Sequence, residues 1–203
     1  MLKPETVEMG RYLDLTDMID FDHELVMLAA QSLMPSNDDC AYARRAYEYV
    51  RDAFPHSFDL YGSGRPVCQV SCRASDVMIN GHGICYAKSH LLAALLRFAG
   101  IPAGFCYQKL LSSEDNPKIV LHAVNAVFLK SPGKWIRLDA RGNKNGVDAQ
   151  FSINEEKLAF PIRPELGEED GLIIYAAPSP NVLEVLKKAN DIAGLIDNLP
   201  DHI

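Results

Sequence analysis

Three side chains in this sequence have the types and order for nucleophilic chemistry: Cys85, His122 and Asp139. Cys85 follows Gly81-His82-Gly83-Ile84 and opens an apolar run. Leu91, Leu92, Leu95 and Phe98 recur near helical spacing, with Ile84, Ala87 and Ala94 filling in. Gly100 and Pro102 stop that run, since glycine takes a left-handed cap and proline cannot continue a helix. The pattern predicts a helix with Cys85 in its first turn. Unpaired N–H groups and the positive end of the helix dipole lie there, and both favour a thiolate. A thiol nucleophile needs a base, and the base needs an orienting group.

His122 lies inside Ile119–Leu129, a β-branched run that alternates as a strand does, and Asp139 ends the next candidate strand, Lys134–Asp139. Together they form a hairpin, and an odd separation keeps the two side chains on one face. A loop centred between Lys130 and Ser131 sets them opposite each other. A tight turn on Pro132-Gly133 leaves them four residues out of step, about 13 Å. A wider, asymmetric loop is therefore expected. Each residue alone has a plainer reading: a packed cysteine, a hydrogen-bonded strand histidine, an aspartate opening a turn. Their order and combination favour the chemical one.

The remaining elements serve this group. Helices are expected over Glu24–Leu33, capped by Asp20 or Asp22 with Leu25, Leu28, Ala29 and Leu33 inward. A second is expected over Cys40–Ala53, with Ala43, Ala46, Tyr47 and Val50 inward. Residues 1–20 read as a strand or extended lead-in and 55–75 as a long irregular loop, with a helical turn at Ser75-Asp76-Val77. Ala103–Leu110 and Leu172–Ala176 are strand candidates, and 112–117 is a turn. Phe151–Phe160 is a short helix or packing arm, and Asn181–Leu195 an amphipathic helix. The block through Phe160 and Arg163 is expected to fold back over the core and shape a substrate cleft. Helices preceding antiparallel strands make the class α+β.

The block Gly83-Ile84-Cys85-Tyr86-Ala87-Lys88-Ser89-His90-Leu91-Leu92-Ala93-Ala94-Leu95-Leu96-Arg97, closing on Ala99-Gly100-Ile101-Pro102-Ala103, resembles the cysteine motif of the bacterial transglutaminase-like cysteine protease superfamily. His122-Ala123 and Asp139 resemble its His and Asp motifs. Tyr49-Val50-Arg51-Asp52 before Pro55 resembles the end of the helix that precedes the cysteine. The resemblance covers roughly residues 20–150. It implies a papain-like core, with a nucleophile helix packed on an antiparallel sheet, and acyl transfer from amides through a Cys85–His122–Asp139 triad. The sequence departs from the pattern in three places. Val124 stands where the family often has Trp, Asp139-Ala140-Arg141 replaces Asp-Pro-Thr, and no tryptophan precedes Cys85. The last departure removes the indole that helps hold the oxyanion and points away from protein crosslinking. The Cys85 amide is the first oxyanion donor. Gln69 and Tyr61 are candidates for the second.

Other histidines read more plainly: His56 as a loop residue, His82 as a turn residue or substrate-side contact, His90 as buried in the helix layer. Cys106 reads as core. Cys68 and Cys72 form a C-x3-C pair without two further ligands nearby, so no metal is expected. Five cysteines in an uneven pattern, and an N-terminus without an apolar leader core, favour free thiols in the cytoplasm. The net charge of -7 argues against nucleic-acid and acidic-membrane partners. The 203 residues fit one domain, with 151–203 packing on the core. The expectation is thus a cofactor-free thiol enzyme acting on a peptide or small amide, its oligomeric state open. Hydrolysis leads. Transamidation to an amine, or a non-catalytic binding module on the same fold, are the alternatives.

Overall fold

The computed structural model describes residues 1–34, 38–65, 67, 69–112 and 117–203. Chain order is β1 (Lys3–Pro4), a 3-10 turn (Met9–Leu13), α1 (Glu24–Ser32), α2 (Asp39–Ala53), α3 (Ser57–Gly62), α4 (Ala74–Asn80) and α5 (Cys85–Phe98). Then come β2 (Ala103–Leu111), β3 (Ile119–Leu129), β4 (Lys134–Leu138), a 3-10 turn (Pro164–Leu166), β5 (Glu169–Asp170), β6 (Ile173–Ile174), α6 (Pro180–Lys188) and α7 (Ile192–Asp197).

The main hydrophobic core is built around α5. Its residues from Cys85 to Arg97 are all buried, as expected of a helix that is apolar nearly all round. Helices α1, α2 and α4 cover one side, and β2 and β3 the other. The polar residues of α5 are buried because backbone groups satisfy them. Arg97 donates to the carbonyls of Asp14, Ala103 and Ala176. His90 Nδ1 lies 2.6 Å from the Cys72 carbonyl, which requires the Nδ1–H tautomer.

The main sheet is antiparallel in the order β4-β3-β2-β5, and β1 pairs with β6 in parallel. Phe105 and Tyr175 exchange backbone bonds of 2.8 Å, tying the C-terminal segment to β2. Gly104 is required at that crossing: a Cβ there would lie 2.7 Å from the Tyr175 carbonyl oxygen. The class is α+β, and no helix among the described residues is long and apolar enough to cross a membrane.

Several local expectations are corrected. His23, not Asp20 or Asp22, caps α1; Asp20 instead accepts from the Ser75 amide and hydroxyl. The buried face of α1 is Val26, Ala29 and Ala30, while Leu25 and Leu28 are exposed. The expected loop at 55–75 contains α3, and α4 extends the predicted helical turn. Of the two readings of Phe151–Phe160, the packing arm holds: the segment is irregular, without helix, and Phe151 packs on the core. The C-terminal amphipathic segment is two helices, because Asp191 turns extended and caps α7 at the Gly194 amide. Residues 1–20 hold the short β1 and a 3-10 turn. Cys68 and most of the predicted turn at 112–117 lie outside the described residues.

Candidate active site

The turn before Cys85 is built from two loops clamped together. Gly81 takes φ +74°, a left-handed conformation that ends α4 and reverses the chain. The Ser57 amide then donates to the Gly83 carbonyl (3.2 Å), and the Gly83 amide to the Pro55 carbonyl (3.4 Å). Ser71 Oγ donates to the His82 carbonyl (2.7 Å), and Ser57 Oγ pairs with His82 Nδ1 (3.0 Å). Ile84 caps α5 with extended backbone and no side-chain cap. Cys85 therefore sits at the first helical position, 8% exposed, where the helix end stabilises negative charge.

On the facing sheet, α5 grips β3 on both sides of His122. Tyr86 Oη donates to the Leu121 carbonyl (2.6 Å) and Ser89 Oγ to the Ala123 carbonyl (3.4 Å). The two bonds fix the strand bearing His122 against the helix bearing Cys85, close enough for the two side chains to interact electrostatically.

The hairpin register lies between the two anticipated extremes. Phe128 pairs with Trp135 and Asn125 with Leu138. One further step sets Asp139 across from Val124, two residues from His122 and on the same face. Diagonal neighbours of this kind stand about 7–8 Å apart at the backbone, within side-chain reach. His122 Nε2 is 2.8 Å from Asp139 Oδ2, which leaves Nδ1 unengaged by the carboxylate.

Asp139 is 1% exposed and held by backbone donors. The Arg141 amide donates to Oδ1 (3.0 Å) and the Ala159 amide to Oδ2 (2.9 Å). Burial pushes its carboxyl pKa up, but the His122 charge and these hydrogen bonds outweigh it and the pKa is lowered. For His122, 5% exposed, burial disfavours the imidazolium. Attraction to Asp139 and to Cys85 outweighs burial and raises the pKa. Phe160 covers the imidazole edge-to-face at 5.2 Å. The 151–160 arm thus folds back over the core as expected, although not as a helix.

His56 is the residue that sequence reasoning missed. It is 6% exposed, and its Nε2 lies 3.1 Å from the Cys85 amide nitrogen. Its Nδ1 meets the Phe58 amide at 3.3 Å, capping α3. Histidine is not among the usual capping residues, so nothing local marked it. Tyr61 and Gln69, the residues considered for a place near the Cys85 amide, are exposed. His82 and His90 are buried in hydrogen-bonded positions, and Cys106 is core. The described cysteines Cys40, Cys72, Cys85 and Cys106 are free.

Among solved structures, the chain is similar to a candidate cysteine protease from Cytophaga hutchinsonii. The TM-score is 0.51 at 18% identity, over 67% of this chain and 43% of that one. It is also similar to the periplasmic domain of TgpA from Pseudomonas aeruginosa (TM-score 0.45, 20% identity, 65% and 48%). A candidate protease from Parabacteroides distasonis gives a TM-score of 0.41 at 12% identity, over 76% and 30%. The chain spans less than half the length of each. The first likeness speaks to fold alone. No curated protein matches the chain. The profile of the transglutaminase-like superfamily matches residues 27–140, an interval that holds Cys85, His122 and Asp139. On that match, over more than half its length, the chain belongs to the transglutaminase-like superfamily.

Proposed function

We propose that the protein is a thiol acyl-transfer enzyme that hydrolyses peptide or other small amide bonds. The observation supporting this reading is the buried His122–Asp139 pair, with Nε2 2.8 Å from the carboxylate, whose imidazole interacts electrostatically with Cys85. Cys85 is the nucleophile, His122 the base and then the acid, and Asp139 fixes the imidazole tautomer and stabilises its charged form.

The thiolate attacks the amide carbonyl carbon. A C–S bond forms and the carbonyl π electrons move onto oxygen. The C–N bond then breaks, and the leaving amine takes a proton from the His122 imidazolium. Water enters, gives a proton to the now neutral His122, and attacks the thioester as its C–S bond breaks. The acid departs and the thiolate–imidazolium pair is restored. The raised His122 pKa supports this cycle, because Asp139 favours the imidazolium that must give its proton to the leaving amine.

Iodoacetamide labelling read by mass spectrometry near neutral pH tests the nucleophile. Cys85 is expected to react faster than every other cysteine, despite its low exposure. Equal labelling refutes the activated thiol. The missing tryptophan before Cys85 favours water over a protein amine as acceptor. The free described cysteines support a reducing compartment, the cytoplasm.

A further inference from the structure

His56 presents a conflict that only a third group resolves. Both ring nitrogens face backbone amides, Phe58 at Nδ1 and Cys85 at Nε2. A neutral imidazole carries one acceptor and one donor, so it can accept from only one of them. The doubly protonated ring has no acceptor at all. It is also disfavoured here, by burial first and then by the nearby Arg141 guanidinium.

The Phe58 contact has the stronger local claim. It is the i to i+2 bond of an N-cap, and α3 is six residues long. A helix that short needs its cap. With Nδ1 accepting from Phe58, the proton sits on Nε2. The Cys85 N–H, which points at Nε2 with the two nitrogens 3.1 Å apart, then faces a second donor, and the pair needs an acceptor that both can reach. An oxygen about 2.9 Å from each completes a nearly equilateral triangle. That is the distance range for a donor to a tetrahedral oxyanion.

We infer that His56 supplies, through Nε2–H, the second donor of the oxyanion hole, paired with the Cys85 amide. This rests on Cys85 being an acyl-transfer nucleophile. The clamp at Pro55, Ser57 and Gly83 gives the ring its rigidity, since His56 is carried on the loop that pairs with the Cys85 turn. The charge that develops on the carbonyl oxygen during attack is held by two fixed N–H groups. The proton on Nε2 stays where it is throughout.

Two substitutions separate the donor from the cap. In His56→Asn the side-chain carbonyl reaches the Phe58 amide as Nδ1 does, but nothing reaches the Nε2 position. In His56→Gln an amide NH2 reaches the Nε2 position and the cap is lost. Two rates are read on Cys85 by mass spectrometry: alkylation by iodoacetamide, which forms no oxyanion, and acylation by p-nitrophenyl acetate, which does. His56→Asn is expected to alkylate at close to the wild-type rate but to acylate on the order of 10²–10³-fold more slowly. His56→Gln is expected to recover part of the loss. Wild-type acylation in His56→Asn overturns the assignment, as does an equal fall of both rates in the two variants, which marks a merely structural ring. If wild-type Cys85 itself is not acylated, the acyl-transfer reading fails and the inference falls with it.

Discussion

Ala159 and His122 converge on one oxygen of Asp139. The Ala159 amide donates to Oδ2 at 2.9 Å, and His122 Nε2 meets the same atom at 2.8 Å. The chain therefore returns twenty residues after Asp139 to hold the carboxylate that faces the imidazole. A buried carboxylate with three N–H donors stays ionised, and its geometry is set by backbone rather than by a mobile side chain.

Asp139→Asn removes the charge and puts an NH2 where an acceptor is needed. Acylation of Cys85 by p-nitrophenyl acetate is expected to fall on the order of 10²–10⁴-fold. Ala159→Pro deletes a single amide, a hydrogen bond to a charged group worth about 1.5–3 kcal/mol, and is expected to fall less. Ala159→Pro acylating more slowly than Asp139→Asn contradicts this ordering.

The His122 pKa, raised to about 10, makes stability depend on pH with a definite sign. Between the ordinary histidine value of about 6.5 and the folded value, the folded chain holds a proton that the unfolded chain has lost. The stabilisation is fully present below the ordinary value and is lost as pH rises through the folded one. The Tm difference between wild type and His122→Gln should therefore narrow steadily as pH rises from about 6 towards about 10. A difference that stays constant over that range contradicts the pairing. Asp139 acts on the other limb. Its lowered pKa gives stabilisation that is present above about 3.9 and lost as pH falls through the folded value, so Asp139→Asn should flatten the acid limb of the Tm profile.

Lys88 holds the site from below. Its fully buried Nζ donates to the carbonyls of Arg51 (3.3 Å), Phe54 (2.5 Å) and Arg141 (2.9 Å). These join the end of α2 to the loop after Asp139. Lys88→Met fills the space but orphans the carbonyls, at about 1–3 kcal/mol each. Urea unfolding should show a loss above about 3 kcal/mol. A midpoint within error of wild type means that the carbonyls find water instead.

Water and amine acceptors are separable on the acylated enzyme. The acetyl-Cys85 thioester is expected to decay at a rate that millimolar glycine amide or lysine leaves unchanged. A decay rate rising in proportion to amine, with the acetylated amine as product, favours transamidation.

The sequence by itself determined α5, its start at Cys85 and its stop at Gly100-Ile101-Pro102. An apolar 3.6-residue period and glycine–proline punctuation are local properties, independent of the rest of the chain. The strand pair carrying His122 and Asp139 was legible for the same reason, as was the α+β class. Local pattern did not decide which face of α1 turns inward. Leu25 and Leu28 are as apolar as Val26, and burial is chosen by the partner surface. It left the two-residue offset of Asp139 open, because several turn lengths fit the same hairpin. It gave no sign of His56, which meets Cys85 from twenty-nine residues away across two clamped loops. Nor did it show that Ala159 would return to Asp139. Both contacts are long-range bonds to backbone amides, and every non-proline residue carries such an amide, so only the tertiary structure selects which one a side chain meets.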